Sequence, residues 1–121
     1  GSASASQVGR ATGLVVDAGG LGVRPAMVAK IYSADGSIVY GPQNLTQEYL
    51  ARFGQVGYSR SVSEARSLKR VGGRPLVVKA LEAKGDYKSD VVVSVEDAAR
   101  IRRELAEKQA LSECRVVFAV N

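Results

Sequence analysis

The residues with the most chemical potential stand early in the chain. Asp17 closes an apolar run, Ala18-Gly19-Gly20-Leu21-Gly22 follows, and Arg24 lies just beyond. A carboxylate at a strand end beside a glycine-rich loop is a common active-site position in α/β folds. Glycines also let a backbone cradle approach a phosphate. A dinucleotide-type cradle, however, needs its last glycine to open a helix, because the helix N-terminus holds the anion. Gly22 instead leads into Val23-Arg24-Pro25, and no Walker lysine-serine pair follows. The plainer reading is a crossover loop that needs residues at positive φ, with Asp17 bonding nearby amides as a turn cap.

A second concentration of charge lies downstream. Arg60, Arg66, Lys69, Arg70 and Arg74 are opposed only by Glu64, within a chain of net charge +5. Such a cluster steers anionic partners, or forms the wet face of a helix. The candidate binding residues are therefore Asp17, Gly20, Gly22, Arg24, Arg66, Lys69 and Arg70. Specific nucleic-acid binding is not expected. There is no Trp, Phe53 and Phe118 sit in apolar patterns, and Tyr58 alone is not a stacking platform.

The chain has no histidine and one cysteine. The commonest general base and the commonest zinc ligand are thus missing, and an intramolecular disulfide is impossible. Cys114 precedes Arg115-Val116-Val117-Phe118-Ala119-Val120 and reads as a buried, inert thiol. Carboxylates at Asp35, Glu96 and Asp97 are accounted for by a turn and a helix start. No nucleophile–base pair is visible. The expectation is a protein that is not an enzyme, with no cofactor and no metal.

Ordinary composition, 45% hydrophobic and 24% charged over 121 residues, fits one soluble globular domain. Gly1-Ser2-Ala3-Ser4-Ala5-Ser6 reads as a vector remnant and linker, so residues 1–10 are set apart from a single globular domain over 11–121. Strands are predicted from Ala11 to Ala18, Val28 to Ser33 and Ser37 to Gly41. The Asp35-Gly36 pair makes the last two a hairpin. Asn44 or Thr46 caps a helix on which Tyr49, Leu50 and Phe53 recur, and Gly54 ends it. Val56 to Ser59 is a brief strand. Ser61 and Glu64 form a capping box for a second helix, marked by Val62, Ala65 and Leu68 and stopped by Gly72-Gly73. One extended run covers Leu76 to Ala83, followed across a loop by Asp90 to Val95. Ser94 caps a third helix with the stripe Ala98, Ile101, Leu105. Its wet side carries Arg100, Arg103, Glu104, Glu107 and Lys108. Arg115 to Val120 is the last strand. Unbroken apolar runs at Leu14–Val16, Val91–Val93 and Val116–Val120 mark buried central strands. The fold class is α/β (α+β): a two-layer domain, helices packed on a mixed, mainly antiparallel sheet.

TGLVVDAGGLGVRPAM, KIYSADGSIVYG, VGYSRSVSEARSLKRVGGRPLVVKA, SDVVVSVEDAARIR and CRVVFAVN, from about Thr12 onward, together resemble the C-terminal region of bacterial flagellar-assembly-type outer-membrane lipoproteins, relatives of the twenty-kilodalton lipoprotein family. Relatives often carry arginine where this chain has Gly19. The resemblance implies a non-catalytic, structural module of the cell envelope, in the periplasm or at the outer membrane, with a flagellum-assembly setting. It implies protein-protein contacts with copies of itself or other envelope proteins, and membrane attachment only through an anchor upstream of this chain. The alternative is an anion-binding module for phosphate, glycan or lipid headgroup, built from the glycine-rich loop and the basic cluster.

Overall fold

A computed structural model describes residues 11–41, 46–105, 111 and 113–121 of the chain. The positions of Asn44, Glu107 and Lys108, and the side chains of Tyr49 and Phe53, lie outside that description. The element order is β1 (Gly13–Asp17), β2 (Ile31–Ser33), β3 (Ile38–Tyr40), α1 (Gln47–Phe53), β4 (Gly57–Ser59), α2 (Val62–Ser67), a 3-10 turn (Lys69–Val71), β5 (Pro75–Lys79), β6 (Glu82–Lys84), β7 (Asp90–Val93), α3 (Val95–Leu105) and β8 (Val116–Ala119). This is an α+β domain, as the alternation of apolar runs and capped helices predicts.

Its strands divide between two four-stranded sheets, ordered β4-β8-β1-β5 and β3-β2-β7-β6. Every pairing in the first sheet is parallel. The second is mixed: the β2–β3 and β6–β7 hairpins are antiparallel and β2–β7 is parallel. Hairpin signals in the sequence report only the antiparallel neighbours. The parallel pairs join residues far apart in the chain and leave no local mark.

The unbroken apolar runs do mark central strands: β1 and β8 lie inside the first sheet and β7 inside the second. Each run is apolar throughout because both faces are covered. Leu14, Val16, Val116 and Phe118 enter the larger core, while Val15 and Val117 pack with Ala65 and Val71 on the opposite face. Helix α3 closes the larger core with Ala98, Ile101 and Leu105, all buried. It starts as expected, with the Asp97 amide donating to Ser94 Oγ at 3.0 Å.

Two predicted elements come out differently. The extended run from Leu76 to Ala83 is broken at Ala80-Leu81. The Ala80 amide still donates to Asp17 of β1, whereas the Leu81 amide donates to Val92 of β7. The chain thus changes sheets without leaving extended geometry, and nothing in the residue pattern records the switch. Helix α2 stops at Ser67, because Leu68 turns extended at ψ 137. Lys69 and Arg70 therefore sit on a separate 3-10 turn, which Gly72 closes. The capping of α2 holds on one side: Glu64 N–H donates to Ser61 Oγ, but the Glu64 carboxylate accepts from Arg60 N–H, one residue outside the box.

Candidate functional site

Asp17 and the glycine loop sit at the C-terminal end of the parallel sheet, where α/β folds usually place ligands. Here the loop amides turn inward. Gly19 N–H donates to Asp17 Oδ1 at 3.2 Å. Gly20 N–H donates to Asn121 O and Leu21 N–H to Ala18 O. Asp17 is thus a turn cap, and Gly20 supplies the positive φ of 78° that the crossover demands. Cradling a phosphate would require those donors to be free. Arg24 projects from the same loop, exposed, and its amide donates to Lys88 O at 2.9 Å.

The basic cluster belongs to the other end of the sheet. Arg70 Nε donates to Cys114 O at 2.6 Å and its Nη2 to Gly54 O at 2.7 Å. These carbonyls precede β8 and β4, so one guanidinium ties together the entrances to two strands. Gly57 leaves room for it, since a Cβ there would meet Arg70 Nη1 at 3.2 Å. The length of a five-residue strand, about 16 Å at the usual rise, separates Arg70 from Asp17, Gly20 and Gly22. The structure therefore unites the loop residues with one another, but not with Arg66, Lys69 and Arg70.

The described surface holds two clefts of note. One, about 360 Å³, opens beside the first two residues of β5 and is lined by Ala11, Arg66, Arg74, Pro75, Leu76 and Glu104. Arg66 comes from α2 on one face of the sheet and Glu104 from α3 on the other, so the sheet edge is recessed between two helices. The second, about 260 Å³, is lined by Thr12, Gly72, Glu113 and Arg115. Among the described residues no group of three or more Cys, Asp or Glu side chains is placed to share a metal ion, and no helix is long and apolar enough to cross a membrane.

The family model for Treponema pallidum Tp0624, second domain, matches residues 13–121. The chain belongs to this family. No curated protein matches it. The match begins on Gly13, the first residue of β1, and runs to the end of the chain, so it takes in every strand and helix described above.

In this Tp0624-type domain Cys114 is buried at φ 59° and capped through its carbonyl by Arg70. Burial pushes its thiol above the ordinary range, and burial also raises the Tyr40 phenol and lowers the Arg70 guanidinium. A thiol raised in the folded state favours folding below its unfolded pKa, about 8.5, and that contribution fades as pH rises further. A disulfide reagent at pH 8 is expected to label Cys114 more than about a hundredfold more slowly than a free thiol, because labelling awaits opening of the fold. Denaturant should abolish the difference; fast labelling of the native protein would place the thiol at the surface.

The same geometry divides the basic residues into two kinds. Arg70→Ala removes two charge-assisted bonds to carbonyls and is expected to cost about 2–4 kcal/mol in urea unfolding. Arg66→Ala and Lys69→Ala, both at exposed positions, should stay within about 0.5 kcal/mol of the parent. Equal effects at all three would contradict the structural role of Arg70.

Proposed function

We propose that this domain is a non-catalytic assembly module that works through protein-protein contacts, first with copies of itself. The reading that it works in the cell envelope, at the periplasmic or outer-membrane side and in a flagellar setting, is supported only by the lipoprotein resemblance. The observation that carries the contact reading is the edge strand β5. Among the described residues it ends its sheet, and the 360 Å³ cleft opens beside its first two residues, Pro75 and Leu76. The Ala80 amide donates toward β1, so Leu76 and Val78 also face β1, and the backbone groups of Pro75, Val77 and Lys79 point outward by alternation.

An exposed edge accepts another strand through main-chain hydrogen bonds. Pro75 withholds one donor and Lys79 adds a charge, two devices that blunt indiscriminate edge pairing. They leave Val77 as the one central residue offering both a donor and an acceptor, which fixes the register of an incoming strand. A head-to-tail contact of this kind closes into a ring when the rotation permits.

Val77→Pro tests the reading, because it deletes the outward N–H at an edge position where Pro is tolerated, while changing a side chain only partly buried against Val15, Ala65, Val71 and Val117. In light scattering over a concentration series the parent should assemble. Val77→Pro should weaken assembly at least about tenfold, the effect of losing roughly 1.4 kcal/mol of contact, while its melting temperature stays within a few degrees. A parent that remains monomeric at every concentration, or a variant that assembles equally well, overturns the proposal.

A further inference from the structure

The end of the molecule at the start of β2 and β7 carries an apolar tip. Met27 is 91% exposed, Tyr87 81% and Val28 55%. They belong to two loops laid side by side. Arg24 N–H donates to Lys88 O, and Lys30 N–H donates to Asp90 Oδ1 at 2.9 Å. Tyr87 occupies a tight turn in which Lys88 N–H donates to Gly85 O, with Gly85 and Lys88 both at positive φ.

The Met27-Val28 pair is clamped on both sides. Tyr58 Oη accepts from Ala26 N–H at 3.0 Å and donates to Ala26 O at 3.2 Å. On the other side the buried Gln55 side chain accepts from Ala29 N–H and donates to Ala29 O. A loop held this firmly by interior polar groups is not exposing methionine and valine by fraying. The two loops and the strand ends they join carry Arg24, Lys30, Lys84 and Lys88 against Asp86 and Asp90, with the Lys84 ammonium seated over the Tyr32 ring at 4.4 Å. The rim is therefore net basic.

We propose that this tip docks the domain on an anionic lipid bilayer, Met27 and Val28 entering the acyl boundary and Tyr87 lying at headgroup depth. A protruding apolar point with a cationic collar fits an interface that combines hydrocarbon with negative charge, and tyrosine prefers the headgroup layer because one end of it is apolar and the other polar. Contact through so few side chains is weak and reversible, which suits a domain held near a membrane by other means. The tip residues Met27, Val28 and Tyr87 are distinct from those of the β5 edge, so docking and self-assembly are separable by substitution.

The chain has no Trp, so Tyr87→Trp supplies a reporter at the site. Vesicles of phosphatidylcholine mixed with phosphatidylglycerol are expected to sediment the protein and to shift the reporter emission to the blue, and pure phosphatidylcholine vesicles to do neither. Lys88→Glu should lower the bound fraction on the order of tenfold or more. Met27→Ser with Tyr87→Ser should do likewise, and circular dichroism should show both variants folded. Equal binding to neutral and anionic vesicles, or vesicle binding untouched by these variants, overturns the proposal. So does an absence of vesicle binding accompanied by loss of self-association in the Met27→Ser, Tyr87→Ser variant, which would make the tip a protein contact instead.

Discussion

Ile101→Asp is expected to abolish the cooperative thermal transition. Ile101 is fully buried at the centre of the α3 stripe, in the same core as Leu14, Val16, Ile31 and Phe118. Shortening it alone would forfeit about 2–5 kcal/mol of burial and packing. The aspartate adds a carboxylate with no partner in an apolar setting, at a cost of several kcal/mol. Together these reach the whole stability of an ordinary domain, about 5–15 kcal/mol. Arg103→Asp, on the exposed side of the same helix, is the control and should shift stability by less than about 1 kcal/mol. Far-UV circular dichroism during heating separates the outcomes. An Ile101→Asp protein that melts cooperatively near the parent temperature would mean that α3 does not seal the larger core.

That helix was legible because its signals are local. Ser94 and Asp97 are three residues apart, and Ala98, Ile101 and Leu105 recur at helical spacing. The hairpin at Asp35-Gly36 was equally plain: Asp35 Oδ1 accepts from the Ser37 amide and hydroxyl, and Gly36 adopts φ 94°. What the residues do not encode locally is which strand lies beside which. Val77 and Val15 pair across more than half the chain, and the run containing Val77 passes into the second sheet at Ala80-Leu81 with no glycine or proline to mark the switch. The basic cluster misled for a related reason. Arg66 and Arg70 are the same residue type four positions apart, yet one is on a helix surface and the other bridges two carbonyls. Only the arrival of Gly54 and Cys114 beside the 3-10 turn distinguishes them. Charge in a sequence reports composition, and the role of a guanidinium depends on acceptors contributed from elsewhere in the chain.

Gln55 carries the second large effect, although it lies in an unremarked stretch between a helix-ending glycine and a short strand. Its side chain is buried, and its amide pairs with both backbone groups of Ala29. Its own carbonyl accepts from Tyr40 Oη at 2.6 Å, a contact that side-chain substitution leaves in place. Gln55→Leu conserves volume but strands a buried N–H and a buried C=O, so it should cost about 3–5 kcal/mol. Gln55→Glu gives a sharper reading, since a protonated carboxyl can reproduce both bonds and an ionised one cannot. Burial raises the folded-state pKa of such a carboxyl above its unfolded value, about 4.3. The variant should therefore match the parent below that pH. It should then lose stability relative to the parent by about 1.4 kcal/mol per pH unit as pH rises, until the folded-state pKa is passed. Paired urea titrations of parent and variant across this range provide the measurement. A pH-independent difference, or a Gln55→Leu protein as stable as the parent, would show that the amide is not what seats Ala29. If the seat is real, Gln55→Leu should also loosen the Met27-Val28 tip and reduce its hold on anionic vesicles, even though residue 55 itself is buried.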